Sequence, residues 1–331
     1  RSAAMTGVAQ GKLTPDAQAS GSMLPSLLGI NPYQTPNDCL IKAFAAIDNG
    51  GKRPNGDWNY IEAADWGNKT ENMILAETAK RLGVDVQIDV LEAIQHPTLP
   101  LAVSLDGIGQ GTGEVFTTDP ARGIYVIGAD EIVLDGPGIL ESKLTGAPAS
   151  FEPALYRGPI QVEGCMMCCG YKWAAIGTLY KGTELRIYLL PADPSRQAKI
   201  AADVLDFQAR VDGYKNHGDR DWYPALTPND AANTWRNVDQ GDPPVTLSHE
   251  LSQLAMEYDD AMRAGAAINK LKTEISTAIM NAMGNAADGL VMEDGKQIGT
   301  VTWGFNKSRA GYTVADRPAA RAKSIKVKIN D

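Results

Sequence analysis

Two short acidic motifs, each attached to an apolar run, constrain the fold of this chain more than any other feature. The first is Ser104-Leu105-Asp106-Gly107, and the second is Leu140-Glu141-Ser142-Lys143-Leu144. Each run has the length and apolar character of a buried strand. Side chains at positions i and i+2 of a strand point to the same face, so Glu141 and Lys143 should emerge together. The pattern predicts a sheet that brings an acid and a Glu-x-Lys to one place.

These residue types suggest a chemistry for that place. Carboxylate oxygens are ligands that Mg²⁺ prefers, so Asp106 and Glu141 are candidate metal ligands. Lys143 would position or deprotonate an attacking water while the metal stabilises charge on a phosphate. The alternative for Asp106 is an ordinary Asp-Gly turn after a strand, and this motif by itself favours the turn.

Length and composition predict a globular protein whose core needs no disulfide bonds. The 331 residues are 44% hydrophobic, and three of the four cysteines are clustered, which favours reduced thiols in a cytoplasmic protein. No apolar run of about 18 residues occurs, so we expect no membrane helix. The net charge of −9 argues against a simple DNA-binding protein, although residues 307–331 are locally basic. For that basic segment, a solvated tail and a DNA contact stay equally open.

Composition divides the chain into four parts. We expect a cloning remnant and a loose N-terminus at 1–15, an α/β core at 16–211, a connector at 212–245, and a helical and β appendage at 246–331. Within the core, helices are expected near residues 19–28, 36–47, 61–82, 159–170 and 194–211. Strands are expected near residues 84–90, 101–105, 124–134, 139–144, 173–180 and 184–190. The Gly- and Thr-rich residues 107–123 are expected to form an exposed loop.

The appendage contains a helical pattern of apolar residues. They recur mostly at three- and four-residue steps, at Leu251, Leu254, Tyr258, Met262, Ile268, Leu271, Ile275 and Ile279. This spacing predicts either one amphipathic helix or a pair bent near Gly265. Such a helix could bind a partner protein or a neighbouring subunit, and packing within the chain against the connector aromatics is the favoured alternative. Residues 289–328 alternate weakly and predict a small β unit.

In order and content, the segments of the core resemble the phage-type exonuclease and recombinase family, which includes lambda exonuclease and YqaJ-like proteins. The resemblance spans roughly residues 19–211. It rests on the motifs Leu28-Gly29-Ile30-Asn31-Pro32-Tyr33, Trp66-Gly67-Asn68-Lys69-Thr70-Glu71-Asn72, Ser104-Leu105-Asp106-Gly107, Leu140-Glu141-Ser142-Lys143 and Gln161-Val162-Glu163. It implies a restriction-endonuclease-like α/β core of the PD-(D/E)xK type, with a central mixed sheet flanked by helices. Leu105 stands where the family has Pro, and Glu163 stands where it has a second Gln.

The resemblance also implies a role for each matching residue. Asp106 and Glu141 would bind the metal, with the carbonyl of Ser142 as a further ligand. Lys143 would handle the attacking water. Glu71 would be an acid near the metals, and Gln161 would orient the site or the scissile phosphate.

The activity implied by the resemblance is Mg²⁺-dependent digestion of linear double-stranded DNA from its ends, with Mn²⁺ as a substitute ion. The direction would be 5′→3′, exposing a single strand for an annealing protein. A ring-shaped homo-oligomer, a trimer, is also implied, in the cytoplasm of a bacterial host. Two alternatives stay open: an endonuclease or a nuclease of opposite polarity with the same site, and a non-catalytic recombination protein that binds DNA ends.

Other potential ligands give weaker patterns. The order of Cys39, Cys165, Cys168 and Cys169 resembles that of iron–sulfur nucleases. Adjacent helical residues point about 100° apart, so small buried thiols are the favoured explanation. A role for His96 as an extra metal ligand is the less favoured interpretation. The Gly-rich stretch after Asp106 lacks the Lys-Ser/Thr ending of a phosphate-binding loop, which argues against nucleotide hydrolysis.

Overall fold

The computed structural model describes residues 17–50, 62–88, 90, 92–235, 246–303, 305–306, 320–321 and 326–329. The chain divides into two compact units, Arg1–Val238 and Asp239–Asp331. The expected cloning remnant and most of the basic segment 307–331 lie outside the described residues. Within the described ranges, no helix combines the length and apolarity that a membrane crossing requires.

The first unit mixes strands and helices along its sequence. Its strands are β1 (Ala19–Ser20), β2 (Asp85–Ile88), β3 (Ile94–Gln95), β4 (Leu101–Val103), β5 (Gly107–Thr117), β6 (Ile124–Val126), β7 (Glu131–Thr145), β8 (Trp173–Tyr180) and β9 (Glu184–Pro191). Its helices are α1 (Leu24–Leu27), α2 (Pro36–Asp48), α3 (Glu62–Leu82), α4 (Pro159–Cys169), α5 (Pro194–His217) and α6 (Pro228–Thr234).

Six strands form the central sheet of this unit, in the order β2-β5-β7-β8-β9-β6. The pairs β7–β8 and β6–β9 are parallel, and the other three neighbouring pairs are antiparallel. Strands β1, β4 and β3 form a smaller separate sheet. The expected α/β core with a central mixed sheet flanked by helices is confirmed.

The central sheet contributes to two cores. Ala174 and Ile176 of β8 belong to a core shared with α1, α2, α4 and α5, whereas Trp173 and Ala175 belong to a core shared with α3. Successive side chains of a strand point to opposite faces, so this alternation means that helices cover both faces of the sheet.

Several expected elements are confirmed because local chemistry decides them. Thr35 and Asp38 form a capping box at the start of α2, with the Thr35 Oγ1 accepting from the Asp38 N–H at 3.2 Å. Gly83, with φ of 69°, directly follows the last residue of α3. Lys181 and Gly182 both have positive φ in the three-residue connection between β8 and β9, where the Thr183 N–H donates to the Tyr180 carbonyl at 3.0 Å.

Three expectations about regular structure are wrong. Residues 19–28 form a short strand, a 3-10 turn and the one-turn helix α1 instead of a single helix. The strand expected at 124–134 is broken, with Gly128 at φ 80° between its two parts. Its second part continues through the turn-like Asp-Gly-Pro-Gly to form the 15-residue β7, because pairing with β5 overrides the local signal. In addition, α5 continues to His217 and α6 forms inside the expected connector.

The glycine-rich residues after Asp106 form strand β5, so the expected exposed loop is wrong there. Gly109 of β5 pairs with Gly138 of β7, and the ring of Trp173 lies against both. A Cβ at Gly138 would come within 2.2 Å of the ring, and one at Gly109 within 2.9 Å. Glycine is needed because the indole occupies the space of a side chain, a contact that the local sequence does not reveal.

Glu163 is buried on α4 and binds the start of α5. Its Oε1 accepts from the backbone N–H of Asp193 at 3.0 Å and from the Gln197 side chain at 2.7 Å. Arg196 lies 3.6 Å from the other carboxylate oxygen. Glu163 thus joins α4 to the start of α5.

The second unit contains one long helix and short strands. The helix α7 (His249–Met283) runs through Gly265 without interruption, so the single-helix expectation is confirmed. The strands are β10 (Asp288–Glu293), β11 (Lys296–Thr302), β12 (Phe305–Asn306), β13 (Ala320–Arg321) and β14 (Lys326–Ile329). The order β10-β11-β14 forms one antiparallel sheet, and β12 pairs with β13.

A methyl group at Gly138 should destabilise the first unit. We expect Gly138→Ala to lower the free energy of unfolding by about 1–3 kcal/mol, because Trp173 must leave its position. Gly146→Ala is the matched control, since Gly146 is exposed and a Cβ there meets nothing within 4 Å. Urea unfolding followed by Trp fluorescence measures both. Equal stabilities for the two variants would contradict this packing.

The stability that Glu163 provides should depend on pH. Burial raises the pKa of Glu163 above its usual value of 4.5, outweighing the hydrogen bonds and Arg196, which lower it. The folded state then holds the proton more tightly than the unfolded state, so stability falls as pH rises from about 4.5 towards the raised pKa. Glu163→Gln keeps the acceptor oxygen but removes this titration. We expect the difference in melting temperature between this variant and the unmodified protein to shift in favour of the variant as pH rises. Glu152→Gln, at an exposed position, is the control, and parallel curves for all three proteins would contradict the assignment.

Candidate active site

The two acidic motifs meet where β5 begins. Gly107, the first residue of β5, pairs with Leu140 of β7, which brings Asp106 alongside Glu141. The Oδ2 atom of Asp106 accepts a hydrogen bond of 3.0 Å from the backbone N–H of Ser142. Strand pairing therefore joins residues that are far apart in sequence and fixes the Asp106 carboxylate by a backbone donor.

Glu141 and Lys143 lie on the same face of β7, as their spacing predicts. The Nζ atom of Lys143 donates to Glu141 Oε1 at 2.5 Å and to Gln161 Oε1 at 3.1 Å. The Glu141 side chain is only 1% exposed, whereas that of Lys143 is 30% exposed. The ion pair thus lies between the protein interior and solvent.

Gln161 reaches this pair from the first turn of α4. The helix begins after Gly158, whose φ of 125° is rarely adopted by L-residues, and Pro159 occupies the first helical position. The sharp entry directs the chain into the helix three residues before Gln161. The structure therefore brings together Asp106, Glu141, Lys143 and Gln161.

Glu71 comes from α3, one turn before the buried Leu75. It is near enough that its charge raises the pKa of Asp106. Burial is the largest cause, followed by the charge of Glu141, and together they raise that pKa to about 7, although the Ser142 N–H lowers it. Three carboxylates are thus concentrated at one place, where their mutual repulsion favours a cation or a proton.

Lys143 stays a cation in this environment. Burial on its own would lower the pKa of Lys143, but Glu141 and Asp106 raise it above its ordinary value. An ammonium group has three N–H donors. The acceptors on Glu141 and Gln161 use two of them, so one remains for a phosphate oxygen or a water.

The donor atoms at this place fit a divalent cation. Glu141 Oε2 is buried and has no hydrogen-bond partner among the described residues, and a buried acceptor of this kind is rare. Within the described part of the chain, no three His, Cys, Asp or Glu side chains are grouped to hold a metal ion. Mg²⁺ does not need such a group, because it keeps several waters and binds through one or two carboxylates. Asp106, Glu141 and the carbonyl of Ser142 could form that set.

A cleft of about 670 Å³ opens beside Lys143 and Gln161, and Tyr33, Thr145, Tyr156 and Arg157 also line it. Arg157 donates to Thr145 Oγ1 at 2.6 Å and to the Tyr156 hydroxyl at 2.9 Å. Arg157 is not among the site residues that the sequence motifs predict. Its one local signal was a basic residue four positions before Gln161.

The surroundings of the cysteines and of His96 indicate structural roles for these residues. Cys39, Cys165 and Cys168 are buried free thiols, and burial raises the pKa of Cys39 to about 12, which keeps it protonated. Cys165 lies one turn after Gln161, behind the site. The Nδ1 atom of His96 accepts from the N–H groups of Thr98 and Leu99, closing the turn before β4.

Comparisons with solved structures find exonucleases. The alkaline exonuclease LHK-Exo from Laribacter hongkongensis is 15% identical, with a TM-score of 0.44, over 61% of this chain and 92% of that one. The same protein in complex with dAMP has the same identity and TM-score, over 62% and 92%. A phage-related exonuclease from Haemophilus somnus 129PT is 14% identical, with a TM-score of 0.40, over 61% and 96%. No curated protein matches the sequence.

A family model provides the sequence-level match. Residues 15–157 match the model of the YqaJ-like viral recombinase domain. The match includes Glu71, Asp106, Glu141 and Lys143, and it ends four residues before Gln161. Over these residues, the chain is similar to the YqaJ-like viral recombinase domain.

Proposed function

We propose that this protein is a divalent-metal-dependent deoxyribonuclease that digests linear double-stranded DNA from its ends. The observation that carries the proposal is the meeting of Asp106, Glu141 and Lys143 beside an open cleft. Glu141 keeps a buried oxygen for which no described residue provides a donor. A protein that only binds DNA ends has no need of such a costly acceptor, so the arrangement favours catalysis over the binding alternative.

Asp106 and Glu141, with the Ser142 carbonyl, would hold Mg²⁺, and Mn²⁺ is the expected substitute. When bound, the ion neutralises charge on the phosphate and lowers the pKa of water, which makes a nucleophile available at neutral pH. The Ser142 N–H orients Asp106, and the pairing of β7 with β5 and β8 orients Glu141. Both carboxylates are therefore held in place by backbone interactions. Glu71 adds negative charge on the α3 side, which suits a second cation.

Lys143 and Gln161 would act on the phosphate and the attacking water. Held as an ammonium between Glu141 and Gln161, Lys143 has one N–H left to stabilise negative charge that develops on the phosphate. Gln161 accepts from Lys143 through Oε1, so its amide N–H₂ stays available to orient a phosphate oxygen. Both positioning roles thus depend on the hydrogen bond between Lys143 and Gln161.

The neighbouring cleft would take the DNA strand. Lys143 and Arg157 place two positive charges along it, and the aromatic rings of Tyr33 and Tyr156 offer surfaces on which bases can stack. Helix α4 begins at this cleft, and the partial positive charge at a helix N-terminus favours a phosphate. Charge and stacking together suit a single strand that leaves the duplex beside the metal ligands.

The similarity to the YqaJ-like viral recombinase domain motivates the finer parts of the proposal. Digestion would run 5′→3′ and expose a single strand for an annealing protein, as recombination requires. A ring-shaped homo-oligomer, a trimer, would enclose the duplex, and the protein would act in the cytoplasm of a bacterial host. A core at 16–211 would carry the nuclease, followed by the connector and the appendage.

Loss of the central cation should abolish digestion. We expect Lys143→Ala to reduce Mg²⁺-dependent digestion of a 5′-labelled linear duplex by about 100-fold or more, because charge on the phosphate is no longer stabilised. Asp106→Asn should give the same loss and also weaken Mg²⁺ binding in calorimetry. Lys199→Ala, at an exposed lysine of α5, is the control and should digest normally. EDTA should stop digestion by the unmodified protein.

Several outcomes of this experiment are decisive. Full digestion by Lys143→Ala, with a circular dichroism spectrum like that of the unmodified protein, would contradict the site assignment. Cleavage of circular duplex would identify the endonuclease alternative, and a 3′-to-5′ ladder would reverse the proposed polarity. Binding of DNA ends without digestion in either Mg²⁺ or Mn²⁺ would favour the non-catalytic alternative.

Removal of Arg157 should weaken DNA binding through the loss of one phosphate contact. We expect Arg157→Ala to raise the Kd of a short duplex with a single-stranded end by about 10- to 150-fold, since a hydrogen bond to a charged group contributes roughly 1.5–3 kcal/mol. The slope of log K against log salt should fall by about 0.7–0.9, the value for one lost contact. Fluorescence anisotropy in EDTA measures both quantities, and Arg157→Lys should keep most of the slope. An unchanged slope in Arg157→Ala would exclude the cleft as the DNA path.

A further inference from the structure

The helix α7 exposes an apolar stripe along its length. No side chain of this 35-residue helix is buried, and residues of the stripe such as Tyr258 and Ile268 are 68% and 65% exposed. At 1.5 Å per residue the helix is about 52 Å long. Most helical stability in proteins comes from packing of an amphipathic face, so a stripe of this length is expected to pack against a partner.

The spacing of the stripe specifies another helix as that partner. From Leu251 to Ile279 the stripe advances 28 residues in eight steps, counting Gly265 at its middle, which gives a mean of 3.5 residues. A period of 3.5 is the repeat that keeps apolar side chains facing one partner in a left-handed coiled coil. A sheet or a flat surface imposes no such repeat.

The stripe is nearly symmetric about Gly265. Met262 and Ile268 lie three residues on either side of it, and Leu251 and Ile279 lie fourteen residues on either side. Leu254 and Ile275 differ by one residue from the same symmetry. An end-over-end rotation about Gly265 therefore exchanges Met262 with Ile268 and Leu251 with Ile279, and brings Leu254 to within one residue of Ile275. A two-fold interface needs this self-complementarity.

Charge decides the direction in which two such helices would pair. The half from His249 to Met262 contains four acidic residues and no Lys or Arg, whereas the half from Arg263 to Met283 contains three basic residues and one acid. Parallel pairing would place each half against a half of the same sign. Antiparallel pairing places opposite signs together and also aligns the two helix dipoles favourably.

Lys272 lies within the stripe, seven residues from both Gly265 and Ile279, and it favours the same direction. In a parallel pair it would face Lys272 of the second copy, and like charges in contact are destabilising. After rotation about Gly265 it lies opposite Tyr258 and next to Glu257, where an ammonium finds an aromatic face and an opposite charge. Small residues at 264–267 let the two helices approach closely where they cross.

We propose that α7 pairs with α7 of a second copy of this chain in an antiparallel two-fold helical interface centred on Gly265. The interface joins two chains through the second unit and does not involve the residues of the nuclease site. It therefore stands or falls independently of the proposed activity.

The oligomeric mass of the full chain tests this pairing. Light scattering of the unmodified protein should give twice the mass found for the double variant Leu254→Glu/Ile275→Glu, which places charge inside the stripe. Met256→Glu is the matched control, because Met256 is also apolar and 62% exposed but lies off the stripe. It should keep the mass of the unmodified protein. Equal masses for all three proteins, whether monomer or trimer, would overturn the proposal. So would a loss of mass in Met256→Glu equal to that in the double variant.

Engineered cysteines test the direction. Leu251 and Ile279 are about 42 Å apart along one helix, so a disulfide between them can form only between two chains. The double variant Leu251→Cys/Ile279→Cys should give a covalent dimer on oxidation, whereas Leu251→Cys alone should not. The unmodified protein provides the background from its own cysteines. A dimer from Leu251→Cys alone would show parallel pairing, and no dimer from either variant would exclude the interface. Each of these results overturns the proposal.

Discussion

The site depends on keeping the carboxylate of Glu141 inside the protein. A buried charge is tolerated only when a partner replaces the lost water, and breaking such a pair costs about 3–5 kcal/mol. Lys143 provides the opposite charge from two residues further along β7, and Gln161 holds the ammonium from α4. The relative position of β7 and α4 is therefore set at this point by polar contacts. The other oxygen of Glu141 is left for a ligand.

The register of the sheet makes this arrangement possible. Asp106 reaches the Ser142 N–H only because Gly107 pairs with Leu140. A slip of one residue would turn Glu141 and Lys143 to the opposite face. Trp173 packs against the paired glycines Gly109 and Gly138, a few residues from the acids, and would clash with any side chain there. The glycines thus hold the register on which the carboxylates depend.

Sequence patterns predicted the elements that local chemistry determines. The Thr35 cap, the Lys181-Gly182 turn and the i, i+2 spacing of Glu141 and Lys143 could all be interpreted without the fold. Strand β5 could not, because its glycines look like a loop until the indole of Trp173 is placed over them. Arg157 could not be identified either, since its position matters only in a cleft that Tyr33 completes from far along the chain. The metal-binding and catalytic roles assigned to the acids stay predictions that the geometry supports.

The acidic balance of the chain is compatible with action on DNA because charge is arranged locally. A net charge of −9 repels a duplex at long range, and only local cationic surface can attract it. At the site, Lys143 and Arg157 line the cleft while Asp106, Glu141 and Glu71 concentrate negative charge beside it. On the proposed function, a divalent ion at these carboxylates changes the sign of that surface, and the ion's own charge becomes the largest one in the site. Binding of DNA and binding of metal then favour each other, since each lowers the electrostatic cost of the other. On that proposal, productive contact with DNA is disfavoured until the metal ligands are occupied.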